Sequence, residues 1–138
     1  MFVSETTLRV RYAETDQMGY VYYGNYPQYY EVGRVECMRH LGTSYKAMED
    51  LGVMMPVIEM KINYFRAGRY DDLLTIRTTI TEIPETRMNF MYEIFNEAKV
   101  LLNRGETTLI FVSKEKNKPV RCPAWLKELC IMAFKASE

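Results

Sequence analysis

Polar and apolar residues alternate at the start of the chain. In SETTLRVRY (4–12) Thr7, Arg9 and Arg11 interleave with Leu8, Val10 and Tyr12, the period of a strand with one covered face. The period then changes. In YPQYYEVGRVECMRHLG, residues 26–42, Tyr26, Tyr30, Gly33, Cys37 and Leu41 share one helical face, Pro27 falls in the first turn and Gly42 is a natural stop. Asn25 or Tyr26 is placed to cap this helix. Val32, Val35 and Met38 lie elsewhere on its wheel, so the helix is apolar on most sides and is expected to be enclosed by the rest of the protein. A shorter helix with a Thr/Ser start and a Gly stop is predicted over 43–52.

Two-residue alternation returns after it. Strands are predicted over 57–65, with Ile58, Met60, Ile62 and Tyr64 on one side, and over 72–80, with Leu74, Ile76 and Ile80 on one side. A third covers 88–95, with Met88, Phe90, Tyr92 and Ile94 aligned, and a fourth covers 106–114. The segment NEAKV (96–100) reads as the turn of a hairpin, and PAWLKELCIMAFK (123–135) as a closing helix. Helices are segregated from an antiparallel run of strands, which makes the class α+β rather than a doubly wound sheet. A sheet of about five strands wrapped around one long helix explains why that helix is apolar on several sides. No linker or repeat divides residues 1–138, so one domain is expected.

Composition narrows the function. Eighteen basic residues balance eighteen acidic ones, so the chain is no general binder of polyanions and nucleic acid is not an expected partner. Three cysteines without a CxxC spacing argue against a disulfide framework. The N-terminus has no basic and apolar leader, and no run approaches the length of a membrane span. A reducing, cytoplasmic location is the expectation.

The single histidine, His40, stands three residues after Cys37, where a core thiol and a surface or capping imidazole account for both. One His and three scattered Cys do not make a zinc site, so no metal is expected. There is no P-loop and no dinucleotide fingerprint. What is left is Asp16, in the loop ETDQMGYVYYGNY ahead of the long helix. A carboxylate flanked by Met18, Gly19 and Tyr20 is partly desolvated, which raises its basicity. It either caps the helix or faces a substrate together with the free N–H groups of the helix start. In the second case the carboxylate attacks or activates water, and an N–H holds the developing oxyanion. A thiolate leaves a thioester without prior protonation, so such a pair needs no histidine.

RYAETDQMGYVYYGNYPQYYEVGRVECMR resembles the signature of hotdog-fold acyl-CoA thioesterases of the 4-hydroxybenzoyl-CoA and Tol-Pal-associated kind. The motif is carried by Thr15-Asp16, Gly19, Val21, Tyr26, Glu31 and Arg34. INYFRAGRYDDLLTIRTTIT is similar to the second family block, with Ala67 where proline is common, and RGETTLIFVSKEKNKPVRCP to the last strand and its exit. The resemblance implies a long helix gripped by the sheet, and a homodimer or homotetramer with active sites at a subunit interface. It makes Asp16 the catalytic carboxylate and Tyr23 the residue whose backbone N–H polarises the thioester carbonyl. Gly19, Tyr20 and Asn25 then belong to the substrate-binding loop. Arg87 is placed to meet coenzyme A phosphates, with Arg66, Arg69, Lys116 and Lys118 as alternatives. Tyr20 and Tyr23 stand where many relatives carry a loop histidine.

The expected function is hydrolysis of acyl-CoA or acyl-carrier-protein thioesters, with coenzyme A entering only as part of the substrate and no other cofactor. Two alternatives are a non-catalytic acyl-CoA-binding protein and a hydroxyacyl dehydratase. The second needs a histidine, and His40 lies about 20 Å along the helix from its first turn. Glu31 and Arg34, three residues apart, are expected to form a buried pair or to touch the site.

Overall fold

The computed structural model describes all 138 residues. The chain runs β1 (Phe2–Arg9), α1 (Tyr26–Leu41), α2 (Tyr45–Asp50), β2 (Val53–Met54), β3 (Val57–Tyr64), β4 (Leu73–Ile80), β5 (Arg87–Phe95), β6 (Leu101–Ser113), β7 (Lys118–Val120) and α3 (Ala124–Ala136). Two short 3-10 turns, Tyr12–Glu14 and Tyr23–Asn25, lie between β1 and α1. All strand pairs are antiparallel, and the five long strands lie in the order β1-β4-β5-β6-β3. The short β2 and β7 add to the far end of β6. The α+β reading holds.

Alternation decides which face of the sheet is covered. Leu74, Ile76, Thr78 and Ile80 of β4 and Met88, Phe90, Tyr92 and Ile94 of β5 are all buried. The helix α1 meets this face at two points of close approach. Gly33 lies against Ile76 and Thr78. Tyr30 stacks on Tyr92 with ring centroids 4.3 Å apart and donates its hydroxyl to Asn103 Oδ1 at 2.5 Å. The same ring covers Gly105, where a Cβ would come within 2.3 Å of it. Gly42, at φ 112°, ends the helix and returns its N–H to the carbonyls of Met38 and Arg39.

Several expectations change. Strand β6 starts at Leu101 rather than 106, because Asn96 closes a tight turn: its carbonyl accepts from Lys99 N and its side chain from Val100 N. Pairing therefore resumes at once, although Asn103, Arg104 and Gly105 break the apolar alternation. Strand β1 stops at Arg9, and Tyr12, expected on its apolar side, is 78% exposed in the 3-10 turn. Asn25 does not cap α1 through its side chain, and Val32 on the outer side of α1 is exposed, so the helix is covered on one side and not enclosed. Strand β3 pairs with β6 alone, and its Ile58, Met60 and Tyr64 are all exposed. Glu31 and Arg34 do not pair. Glu31 is exposed, while Arg34 is half-buried beside the phenols of Tyr45 and Tyr92.

The Gly105 contact gives a test. Gly105→Ala drives a methyl into the Tyr30 ring, and overpacking of this kind costs about 1–3 kcal/mol. Urea unfolding should show a lower midpoint with an unchanged slope.

Candidate active site

The loop between β1 and α1 is held by its own backbone. Asp16 N donates to Tyr20 O at 2.8 Å, and Thr15 bridges to Val21. Asp16 Oδ1 accepts from Met18 N at 2.9 Å and Tyr20 N at 3.3 Å. The reversal passes through Gly19, at φ 78°, a conformation that costs other residues energy. The segment linking β3 to β4 braces the loop from below. Val21 N donates to Gly68 O, Tyr20 bridges to Arg69, and the Arg69 guanidinium lies 4.9 Å from the Tyr20 ring centroid. Asp16 is therefore not a cap of α1. It closes its own turn with one oxygen, and the other oxygen accepts no hydrogen bond.

The half-buried Asp16 lines a hollow of about 320 Å³ with Met18, Tyr20, Val21, Tyr23, Tyr26, Tyr64, Phe65, Arg66 and Ala67. Tyr23 opens the 3-10 turn that leads into α1, and the N–H groups of Tyr23 and Gly24 make no hydrogen bond. The carbonyl of Tyr23 accepts from the Tyr64 hydroxyl at 3.3 Å, which ties the turn to β3. The hollow thus combines a carboxylate and a wall of aromatic rings, and one of its lining residues, Tyr23, carries an unpaired amide. A larger hollow of about 730 Å³ lies at the other end of α1, against Phe2, Leu129 and Met132; its polar side chains are His40 (bonded to Ser4), Ser137 (bonded to the carbonyls of Met1 and Phe134) and the terminal Glu138.

Asn25 sends its side-chain N–H to the carbonyl of Glu14 at 2.8 Å, so it holds the loop to the turn. Arg87 lies apart. It borders a hollow of about 490 Å³ with Ile58, Thr86, Ile110 and Arg121, at the opposite end of β3 from Tyr64 and about 20 Å away along the strand. Arg121 escaped the sequence reading, since a lone arginine after a short turn carries no pattern. His40 is bonded through Nδ1 to Ser4 Oγ and is absent from the Asp16 hollow. The dehydratase alternative therefore lacks its histidine. Cys37 is no substitute nucleophile, because burial pushes its thiol up to about 12.

Residues 10–129 match the thioesterase-like superfamily. The chain belongs to that family. It is 38% identical over 121 residues to a putative acyl-CoA thioesterase, YneP, of Bacillus subtilis, an alignment covering 88% of each chain. It is 36% identical over 116 residues to the acyl-CoA thioester hydrolase YbgC of Escherichia coli O6:H1, covering 84% of this chain and 87% of that one. Among solved structures, a DHNA-CoA thioesterase from Staphylococcus aureus superposes with a TM-score of 0.89 at 34% identity, over 99% of this chain and 91% of that one. The hotdog fold and the reading as a thioesterase both stand. No helix is long and apolar enough to cross a membrane.

Within this thioesterase domain the missed residue is Glu14. Its buried carboxylate accepts from Arg11 N at 2.8 Å, Arg11 Nη2 at 3.0 Å and the Tyr29 hydroxyl at 3.0 Å. Burial alone would raise its pKa, but the Arg11 N–H, the guanidinium and the phenol outweigh burial and hold the carboxyl below its usual value of 4.5. Stability lent by a carboxylate with a depressed folded pKa is complete above the unfolded value and is lost as pH falls through the folded one. Denaturant unfolding from about pH 6 to about pH 3 should therefore show a steeper loss of stability in wild type than in Glu14→Gln.

Proposed function

We propose that this chain hydrolyses acyl-CoA thioesters at Asp16. The observation that carries the reading is an aromatic hollow lined both by a carboxylate with an oxygen that accepts no hydrogen bond and by Tyr23, whose N–H, like that of the adjacent Gly24, has no acceptor. The thioester carbonyl accepts from the amide of Tyr23, which stabilises the charge that develops on oxygen. In the nucleophilic route Asp16 attacks the carbonyl carbon, the C–S bond breaks, coenzyme A leaves as thiolate, and water cleaves the resulting anhydride to free acid and carboxylate. In the general-base route Asp16 takes a proton from water, hydroxide adds to the carbon, the same C–S bond breaks, and the proton passes to solvent. After a single turnover in ¹⁸O-water, label in the Asp16 side chain marks the nucleophilic route with water attacking the Asp16 carbonyl of the anhydride; the general-base route never labels Asp16.

Tyr20, Tyr23 and Met18 form the walls against the acyl group and the pantetheine arm, and Gly19 sets their turn. No metal or redox cofactor enters, and a carrier-protein thioester fits the same chemistry as a coenzyme A ester. We place the protein in the reducing cytoplasm, a reading supported by three free, buried cysteines.

A homodimer completes the site. What supports it is β3, an edge strand whose unpaired backbone runs beside exposed Ile58, Met60, Tyr64 and Phe65. Antiparallel pairing of β3 with a second copy brings the Ile58 end of one protomer beside the Tyr64 end of the other. The hollow holding Arg87 and Arg121 then adjoins the partner's aromatic hollow, and the two guanidiniums take the coenzyme A phosphates.

Thiol release from a panel of acyl-CoAs tests the reading. Asp16→Asn should lower kcat at least about a hundredfold, near 2.7 kcal/mol of barrier. Equal thiol release by both proteins removes Asp16 from the chemistry, and binding without release transfers the chain to the non-catalytic alternative. Arg87→Ala with Arg121→Ala should raise KM for acyl-CoA about tenfold or more, as expected for lost charge-assisted phosphate bonds, and leave kcat near wild type.

A further inference from the structure

Glu14 does not line the hollow, yet it is bonded to the turn on either side of the Tyr23–Gly24 amides and to α1. Its carbonyl accepts two hydrogen bonds, from Tyr22 N at 2.9 Å and from Asn25 Nδ2 at 2.8 Å. Tyr22 immediately precedes Tyr23 and Asn25 immediately follows Gly24, so the two free amides are slung between two bonds to one oxygen. Asp16 is two residues further along the same backbone and is locked into its own turn by Tyr20. The carbonyl of Glu14 is thus the common point from which the carboxylate and the amide donors are both hung.

The side chain of Glu14 fixes that point in turn. Its carboxylate reaches inward to Tyr29, a residue only 2% exposed on the first turns of α1, and backward to Arg11 where β1 has ended. Tyr29 remains a donor, because burial and the neighbouring carboxylate both push its phenol well above the usual tyrosine range. A carboxylate placed between a helix and a loop, with three donors and little solvent, is a rigid strut. Its alternative use as a surface charge is ruled out by its burial.

We propose that Glu14 is a positioning residue for thioester hydrolysis: it sets the distance between the Asp16 carboxylate and the Tyr23–Gly24 amides, and acts on the reaction only through them. The proposal rests on the Asp16 reading above. Small errors in such a distance fall on the transition state, where carboxylate and amides must engage the same carbonyl group, more than on ground-state binding.

The variants are Glu14→Gln, which keeps the shape but turns an amide NH2 donor toward the Arg11 guanidinium, and Tyr29→Phe, which removes one donor and keeps the ring. With the best acyl-CoA of the panel, Glu14→Gln should lower kcat about tenfold or more with KM within about twofold, and Tyr29→Phe should lower kcat by less. The double variant should lose less than the product of the two single losses, because Glu14 and Tyr29 share one hydrogen bond within the same strut. Amide exchange should rise at Tyr22 and Asn25 in Glu14→Gln more than at α3, a readout that needs no turnover. A kcat within about twofold of wild type in folded Glu14→Gln, or exchange that rises equally in α3, overturns the positioning role. If wild type releases no thiol the Asp16 reading fails first, and the exchange pattern still decides whether Glu14 holds the amides.

Discussion

Tyr30 lies flat between α1 and the sheet, stacked on Tyr92, bonded to Asn103 and pressed over Gly105. That contact sets the height of the helix above the strands, and the helix carries the amide donors at its start. With a side chain at Gly105, the ring and the helix above it would have to lift. Gly33 makes the second close approach one turn later, against Ile76 and Thr78. Two points define a line, so the direction of α1 follows from two glycines on different elements. The 3-10 turn, the Glu14 strut and the Asp16 loop are all built outward from that line.

The interior is more polar than the strand pattern suggests. Thr78, Asn103 and Thr107 are fully buried or nearly so, and Tyr92 shares a hydrogen bond with Thr107 at 2.6 Å. Arg34 Nε and Nη1 and the Tyr45 hydroxyl are buried without hydrogen-bond partners. Burial works against the Arg34 charge, but the neighbouring phenols of Tyr92 and Tyr45 outweigh it and hold its pKa above the usual arginine value. Such a group costs stability compared with an apolar side chain of the same size.

Much of this was legible in the sequence for a simple reason. In β4 and β5 both the period and the coverage are unambiguous, so Leu74, Ile76, Phe90 and Tyr92 declared their face. The helix stop at Gly42 and the turn at Asn96 follow from local backbone chemistry. The Asp16 loop was legible because a carboxylate among glycine and tyrosines is rare, and its resemblance to a family motif is specific. Other features depended on distant partners. Tyr12 alternates correctly but stands past the end of the strand, where nothing covers it. Ile58, Met60 and Tyr64 have the alternation of a covered strand, and only the strand order reveals that no neighbour lies beyond them. Glu14 carries no local pattern of its own, since its value comes from Tyr29, fifteen residues away. Glu31 and Arg34 had the right spacing for a pair, but spacing on a helix does not say which side faces the sheet.

The bare edge of β3 has a consequence for how the chain lives in a crowded cell. Folding to a single protomer is not the end of the process, because the product still displays an unsatisfied strand flanked by apolar side chains. Any extended peptide of similar pattern is then a competitor for that edge, and the outcome is decided by encounter rates. With β3 pairing to a second copy as proposed, a freshly made chain surrounded by identical ones would seal itself, and a scarce one would stay adhesive for longer. Abundance would thereby become a structural variable for this protein, with its own concentration acting as its chaperone.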